Sequence, residues 1–170
     1  MLTEKTVKEL ALALGEKLTN AGLVATTAES CTGGGVAYAI TEISGSSLWF
    51  DRSFVTYSNG AKTQMLDVDP ELINTFGAVS KQVVNAMAIG AVKNSDADIA
   101  VAISGIAGPE GGSEEKPVGT VCIAWYNAHS GHKTESYLFV GNRSEVRTQA
   151  IRLALLGLIE NADALGSAQI

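Results

Sequence analysis

Apolar residues at Val7, Leu10, Ala11, Leu14 and Leu18 recur every three and four positions, the period of a helix with one buried stripe. Thr3 is placed to cap this helix and Gly22 to end it. Residues 23–28 then read as a strand, broken at Glu29-Ser30-Cys31-Thr32-Gly33-Gly34-Gly35. A second helix is predicted through Val36, Ala37, Ile40 and Ile43, stopped by Ser44-Gly45-Ser46-Ser47. Residues 54–57 read as a short strand, Ser58-Asn59-Gly60 as a turn and 62–66 as a helical turn.

Asp69-Pro70-Glu71 opens a short helix, with Asp as the cap and Pro at the first helical position; it ends near Gly77. Ser80 caps a longer helix that buries Val83, Val84, Met87, Ala88 and Ala91. Residues 99–103 are continuously apolar, as in a strand covered on both faces. Two further strands, 118–126 and 133–140, are joined across His129-Ser130-Gly131, and a last helix runs from about Ser144 past Ile159. Helices and strands alternate first and an antiparallel pair comes late. That order predicts one three-layer α/β/α domain over residues 1–165 with a mixed, mostly parallel sheet. Residues 166–170 read as a disordered tail.

Composition narrows the function classes. In 170 residues, 46% hydrophobic and 18% charged, there is enough apolar surface for a core, which excludes a disordered chain. A net charge of −6 argues against nucleic acid or an anionic membrane as partner, but not against a small anion held by one loop. Cys31 and Cys122 match no metal-ligand spacing and read as free thiols in a reducing cytoplasm. His129 and His132 read as solvated turn residues. No apolar run reaches bilayer length, and residues 1–5 begin an amphipathic helix rather than a signal peptide. The expectation is a soluble cytoplasmic protein without metal or cofactor.

Three segments are candidates for chemistry. The Glu29–Gly35 stretch joins a buried strand to a helix start, where N–H groups and the helix dipole favour negative charge. A nucleophile there, Ser30, would find donors for an oxyanion; a helix cap with packing glycines reads the same way. Ser104-Gly105-Ile106-Ala107-Gly108-Pro109 follows the most apolar strand, in the position of a ligand-lining loop. Its glycines can turn N–H groups toward a phosphate, with Lys116 and Arg143 the nearest basic residues. In Tyr57-Ser58-Asn59-Gly60-Ala61-Lys62, the lysine can activate a serine if burial makes it neutral, and is otherwise a surface charge. No histidine is placed for a Ser-His-Asp triad, so a serine hydrolase here requires a lysine base.

Together these segments resemble the CinA C-terminal-domain family, which includes stand-alone nicotinamide-nucleotide amidases. The resemblance also covers Gly45-Ser46-Ser47, Phe54-Val55-Thr56-Tyr57-Ser58-Asn59, Gly77-Ala78-Val79-Ser80 and Lys116-Pro117-Val118-Gly119-Thr120-Val121, over roughly residues 5–160. It implies an α/β/α fold, a homodimer and metal-independent hydrolysis of nicotinamide mononucleotide to nicotinic acid mononucleotide and ammonia. It implies Ser30 as nucleophile and Lys62 as general base, with Tyr57 beside the pair. Thr32, Gly33 and Gly34 match the oxyanion loop, and Ser104, Gly105 and Gly108 the loop that meets the ribose phosphate. Arg143 is added on charge alone. The alternatives are a nucleotide-binding regulatory module without catalysis and a cysteine hydrolase using Cys31, which lacks a histidine to lower its pKa.

Overall fold

A computed structural model describes residues 4–167. The first helix, α1 (Val7–Ala21), is capped by Thr6, whose hydroxyl accepts from the Glu9 N–H while Glu9 reaches back to the Thr6 N–H. This reciprocal box satisfies two free donors at once, which displaces the expected cap at Thr3, a residue outside those described. Gly22 ends the helix, as predicted. The chain continues through β1 (Ala25–Glu29), α2 (Gly35–Thr41), a 3-10 turn at Ser46–Leu48, β2 (Phe50–Val55) and α3 (Asn59–Leu66). Next come α4 (Pro70–Phe76), α5 (Lys81–Lys93), β3 (Ile99–Gly105), β4 (Thr120–Asn127), β5 (Gly131–Leu138) and α6 (Arg143–Ser167).

The sheet order is β2-β1-β3-β4-β5. Strand β1 pairs parallel with both β2 and β3, and β4 pairs antiparallel with both β3 and β5, so only β4 runs against the rest. Helices α1, α2 and α6 share one apolar core with one face of the sheet, and α5 packs with Leu66, Val68 and Ile73 on the other. The three-layer α/β/α architecture with a mixed, mostly parallel sheet is therefore present. Helix α6 runs through Ser167, two residues into the expected tail; residues 168–170 lie outside those described.

Strand β2 starts well before its predicted position. β2 is an edge strand carrying Asp51, Arg52 and Ser53, so it starts four residues before the apolar signal at Phe54. Edge strands need one covered face at most, and their alternation is diluted by polar residues. Conversely β1 is buried throughout although its sequence is Ala-Thr-Thr-Ala-Glu. Its polar side chains are satisfied laterally: Thr26 Oγ1 donates to the Arg52 carbonyl at 2.7 Å, and the Thr27 and Ser53 hydroxyls meet at 2.6 Å.

Both tryptophans lie on the α1/α6 side. Trp49 rests on Gly15 of α1, where a Cβ would come within 2.7 Å of the indole. Trp125 packs on Gly157 of α6 and donates Nε1–H to the Ala154 carbonyl at 3.0 Å. Each indole is 3% exposed, and each depends on a glycine for its approach to the helix. Among the described residues no helix is long and apolar enough to cross a membrane.

Candidate active site

The parallel strands β1, β2 and β3 deliver their carboxyl ends to one edge of the sheet, where ligands of α/β folds collect. Ser30 is the first residue past β1. Its N–H donates to the Ile103 carbonyl of β3 at 3.0 Å, and the Thr56 N–H beyond β2 donates to the Glu29 carbonyl at 2.8 Å. The strand ends are thus tied on both sides of the serine.

Past β2 the chain turns into α3, whose cap Ser58 accepts from the Ala61 N–H at 3.1 Å. The first turn of α3 aims Lys62 inward, and only 1% of that residue is exposed. Its Nζ lies 3.1 Å from Ser30 Oγ, 2.8 Å from the Thr56 carbonyl and 3.4 Å from the Tyr57 carbonyl. Burial pushes the lysine pKa below its ordinary value, opposed in part by the neighbouring Cys31. The two carbonyls can only accept. A neutral amine therefore spends its two N–H groups on them and turns its lone pair toward the serine hydroxyl, the arrangement a base requires.

Cys31 is also buried, at 6% exposure, and burial pushes its thiol up to about 11. A thiolate is scarce there at neutral pH, so the neighbouring cysteine is poorly placed to act as the nucleophile.

Ser30, Cys31, Tyr57, Lys62, Ser104, Gly105 and Arg143 line one cleft of about 240 Å³. Arg143, the first residue of α6, donates Nη1–H to the Gly108 carbonyl at 2.8 Å and Nη2–H to Tyr57 Oη at 3.4 Å. Gly108 thus touches the site through its carbonyl rather than by lining the cleft. Thr32, Gly33 and Gly34 also lie off it. Thr32 is fully buried with its hydroxyl on Glu29 Oε1 at 2.7 Å. Gly33 and Gly34 line a larger groove of about 590 Å³ beside Arg147 and Tyr38, which shares no residue with the Ser30 cleft and holds no serine-lysine pair. Lys116 is engaged elsewhere, donating to the Phe76 carbonyl at 2.8 Å.

The sequence reading missed four features. Asn59, read as a turn residue, lines the cleft. So do Ala78 and Val79, quoted within a matching stretch but given no role. Glu29, fully buried, accepts from the Val36 and Ala37 N–H groups at 2.9 and 3.0 Å, and from Thr32 Oγ1. The hydroxyls of Thr27 and Ser53 stand 3.1 and 3.2 Å from its Oε2. The first helical donors of α2 are therefore taken by a carboxylate and are not free for an oxyanion. Arg147 is the fourth, donating Nε–H to the Cys31 carbonyl and Nη2–H to the Thr32 carbonyl, both at 3.1 Å. A charged residue at the end of an otherwise uncharged strand was the signal for Glu29; nothing local marked Arg147.

No group of three or more His, Cys, Asp or Glu able to hold a metal occurs among the described residues.

Comparison with known proteins bears on this geometry. The family model described as the CinA C-terminal domain matches residues 7–162. A protein of Escherichia coli (strain K12) named nicotinamide-nucleotide amidohydrolase PncC is 54% identical over 154 residues, covering 91% of this chain and 93% of that one. A Pseudomonas putida protein of the same name is 51% identical over 154 residues, 91% of this chain and 96% of its own. The crystal structure of competence/damage inducible protein CihA from Agrobacterium tumefaciens superimposes with a TM-score of 0.89 at 48% identity, covering 91% of this chain and 94% of that one.

Proposed function

The chain belongs to the CinA C-terminal-domain family, and on that premise we propose that it hydrolyses nicotinamide mononucleotide to nicotinic acid mononucleotide and ammonia. Relatives at about half identity over most of both chains carry the name of that activity. The observation that carries the chemistry is the 3.1 Å approach of a buried lysine amine to Ser30 Oγ.

In this reading neutral Lys62 takes the Ser30 proton as Oγ adds to the carboxamide carbon. The C=O π pair moves to oxygen, and a free backbone N–H of the nucleophile loop stabilises that charge. When the tetrahedral carbon collapses, protonated Lys62 returns its proton to the departing nitrogen, which leaves as ammonia. Water, deprotonated by the same amine, then cleaves the acyl-enzyme ester to the carboxylate and restores Ser30. Arg143 and the Ser104–Gly105 edge face the ribose phosphate, supplying binding energy remote from the reacting carbon. Free nicotinamide lacks that handle and is expected to be a poor substrate. The same reading includes action in the cytoplasm and a homodimer, which sedimentation velocity measures.

The test is product analysis. Purified protein mixed with nicotinamide mononucleotide should release ammonia and nicotinic acid mononucleotide in equal amounts, and Ser30→Ala should release neither while still binding substrate. Binding without ammonia release would leave a nucleotide-binding regulatory module instead. A folded Ser30→Ala protein with substantial turnover would remove the serine from the mechanism.

A further inference from the structure

The cleft of Ser30 and Lys62 is lined by two segments far apart in the chain. Ala78 and Val79 stand on the connector from α4 to α5, and Ser104, Gly105 and Ala107 stand where β3 runs out into the long loop before β4. That loop is closed at its base. The Ile106 N–H donates to the Thr120 carbonyl and the Gly119 N–H to the Ile106 carbonyl, both at 2.8 Å. Beyond the base, two cations fasten it among the described residues: Arg143 holds the Gly108 carbonyl, and Lys116, itself in the loop, holds the Phe76 carbonyl, each at 2.8 Å.

The second fastening joins the two cleft-lining segments. Phe76 is the last residue of α4, where carbonyls lack a partner within the helix and favour a positive charge. The ammonium lies beside Gly77, where a Cβ would stand 3.2 Å from Nζ, and the chain runs from there directly into Ala78 and Val79. The other bonds of Gly77 are short in range: its N–H goes to the Ile73 carbonyl and its carbonyl accepts from Ser80 Oγ, both at 2.8 Å. Lys116 is half-buried and does not itself line the cleft. Ser30 and Lys62 are placed by other elements, the parallel pairing of β1 with β2 and β3 and the first turn of α3.

We infer that Lys116 is a positioning residue for substrate binding: its bond to the Phe76 carbonyl latches the Ala78–Val79 segment to the loop after β3 and so sets the width of the cleft. The inference rests on that cleft being the substrate site of the hydrolase reading. Without the latch a smaller share of molecules presents a cleft that fits the nucleotide, and apparent affinity falls by that share. The serine–lysine pair is untouched, so the chemistry of the bound complex is not altered.

The test uses the whole protein with nicotinamide mononucleotide. Lys116→Met keeps the aliphatic stem and removes the donor; Lys116→Arg keeps a charged donor for the same carbonyl. The methionine variant should raise KM on the order of tenfold, the effect of losing one charged hydrogen bond that selects the binding-competent cleft. Calorimetric Kd in a Ser30→Ala background should rise by the same factor, while kcat stays within about twofold and its pH midpoint does not move. The arginine variant should restore affinity to within about threefold of wild type. The factor between wild type and methionine should be the same at low and high salt, since a short bond to a carbonyl is screened far less than a charge acting across solvent. If the methionine variant fails to fold, Lys116→Gln is read by the same comparison of KM with kcat. A folded variant with unchanged KM and Kd overturns the inference, as does a loss in kcat at unchanged Kd. A factor that collapses at high salt overturns it too, by assigning the lysine to long-range attraction of the phosphate. Absence of ammonia release by the wild-type protein removes the hydrolase reading itself, and the Kd comparison still decides the latch. A wild-type protein that neither binds nor hydrolyses the nucleotide overturns both.

Discussion

Replacing Glu29 by glutamine exchanges one acceptor oxygen for an NH2 group in a fully enclosed site. The carboxylate now serves the Val36 N–H through Oε1 and the Ala37 N–H through Oε2. In either orientation of the new amide, one of those two N–H groups faces a donor. The hydroxyls of Thr27, Thr32 and Ser53 can rotate to accept from the NH2, so they contribute little to the cost. An orphaned buried donor costs about 1–3 kcal/mol, and the surviving bonds lose charge assistance worth about 1 kcal/mol more. The expected destabilisation is about 2–4 kcal/mol. For a domain of this size, at about 2–4 °C per kcal/mol, the thermal midpoint should fall by about 5–15 °C. Differential scanning calorimetry at neutral pH reads the shift directly. Turnover should fall as well, at temperatures where the variant is still folded, because the residue after Glu29 is Ser30. A Glu29→Gln protein whose midpoint lies within about 2 °C of wild type would refute the reasoning, since no donor can then have lost its partner.

Lys62 must be neutral to act, and burial lowers its pKa, so kcat should fall as pH drops through that lowered value. Stability carries the same protonation preference. Between the lowered folded value and the ordinary one the unfolded chain binds the proton more strongly, so stability should rise with pH across that window. Lys62→Arg should be inactive at every working pH, because a guanidinium stays protonated; a folded arginine variant with near-normal steady-state kinetics would exclude the lysine as base. Cys31→Ala should retain turnover within several-fold, and alkylation of the thiol should be slow, as expected for a buried group pushed up to about 11. A folded but inactive Cys31→Ala protein, with Ser30→Ala still active, would reassign the nucleophile.

The fold was legible wherever one periodicity dominated. The buried face of α5 and the apolar β3 were readable because those elements pack on their own repeat. β2 was misplaced because an edge strand carries a weak alternation, and the cap of α1 because a reciprocal box outcompetes an isolated threonine. The candidate site was legible in its parts but not in its assembly. Ser30 and Lys62 stand 32 positions apart, and only the parallel pairing of β1 with β2 brings the two chain segments together. The glycine run after Ser30 suggested a free helix terminus. The Glu29 side chain closes that terminus, a fact that depends on which way the last residue of a strand faces. Arg147 was invisible for a related reason. Its partners are backbone carbonyls more than a hundred residues away, and carbonyls leave no mark in a sequence.

The packing of Trp49 on Gly15 and of Trp125 on Gly157 bears on how unfolding of this molecule is observed. These are the two tryptophans of the chain, and both lie in the core shared by α1 and α6. Intrinsic fluorescence therefore reports on one layer, while Lys62 is carried by α3 in the other. A denaturant that loosens α3–α5 first would abolish the lysine–serine contact with the emission spectrum still native. Activity and fluorescence transitions that coincide would establish that the two layers melt as one unit; transitions that separate would measure how independently the base-bearing layer opens.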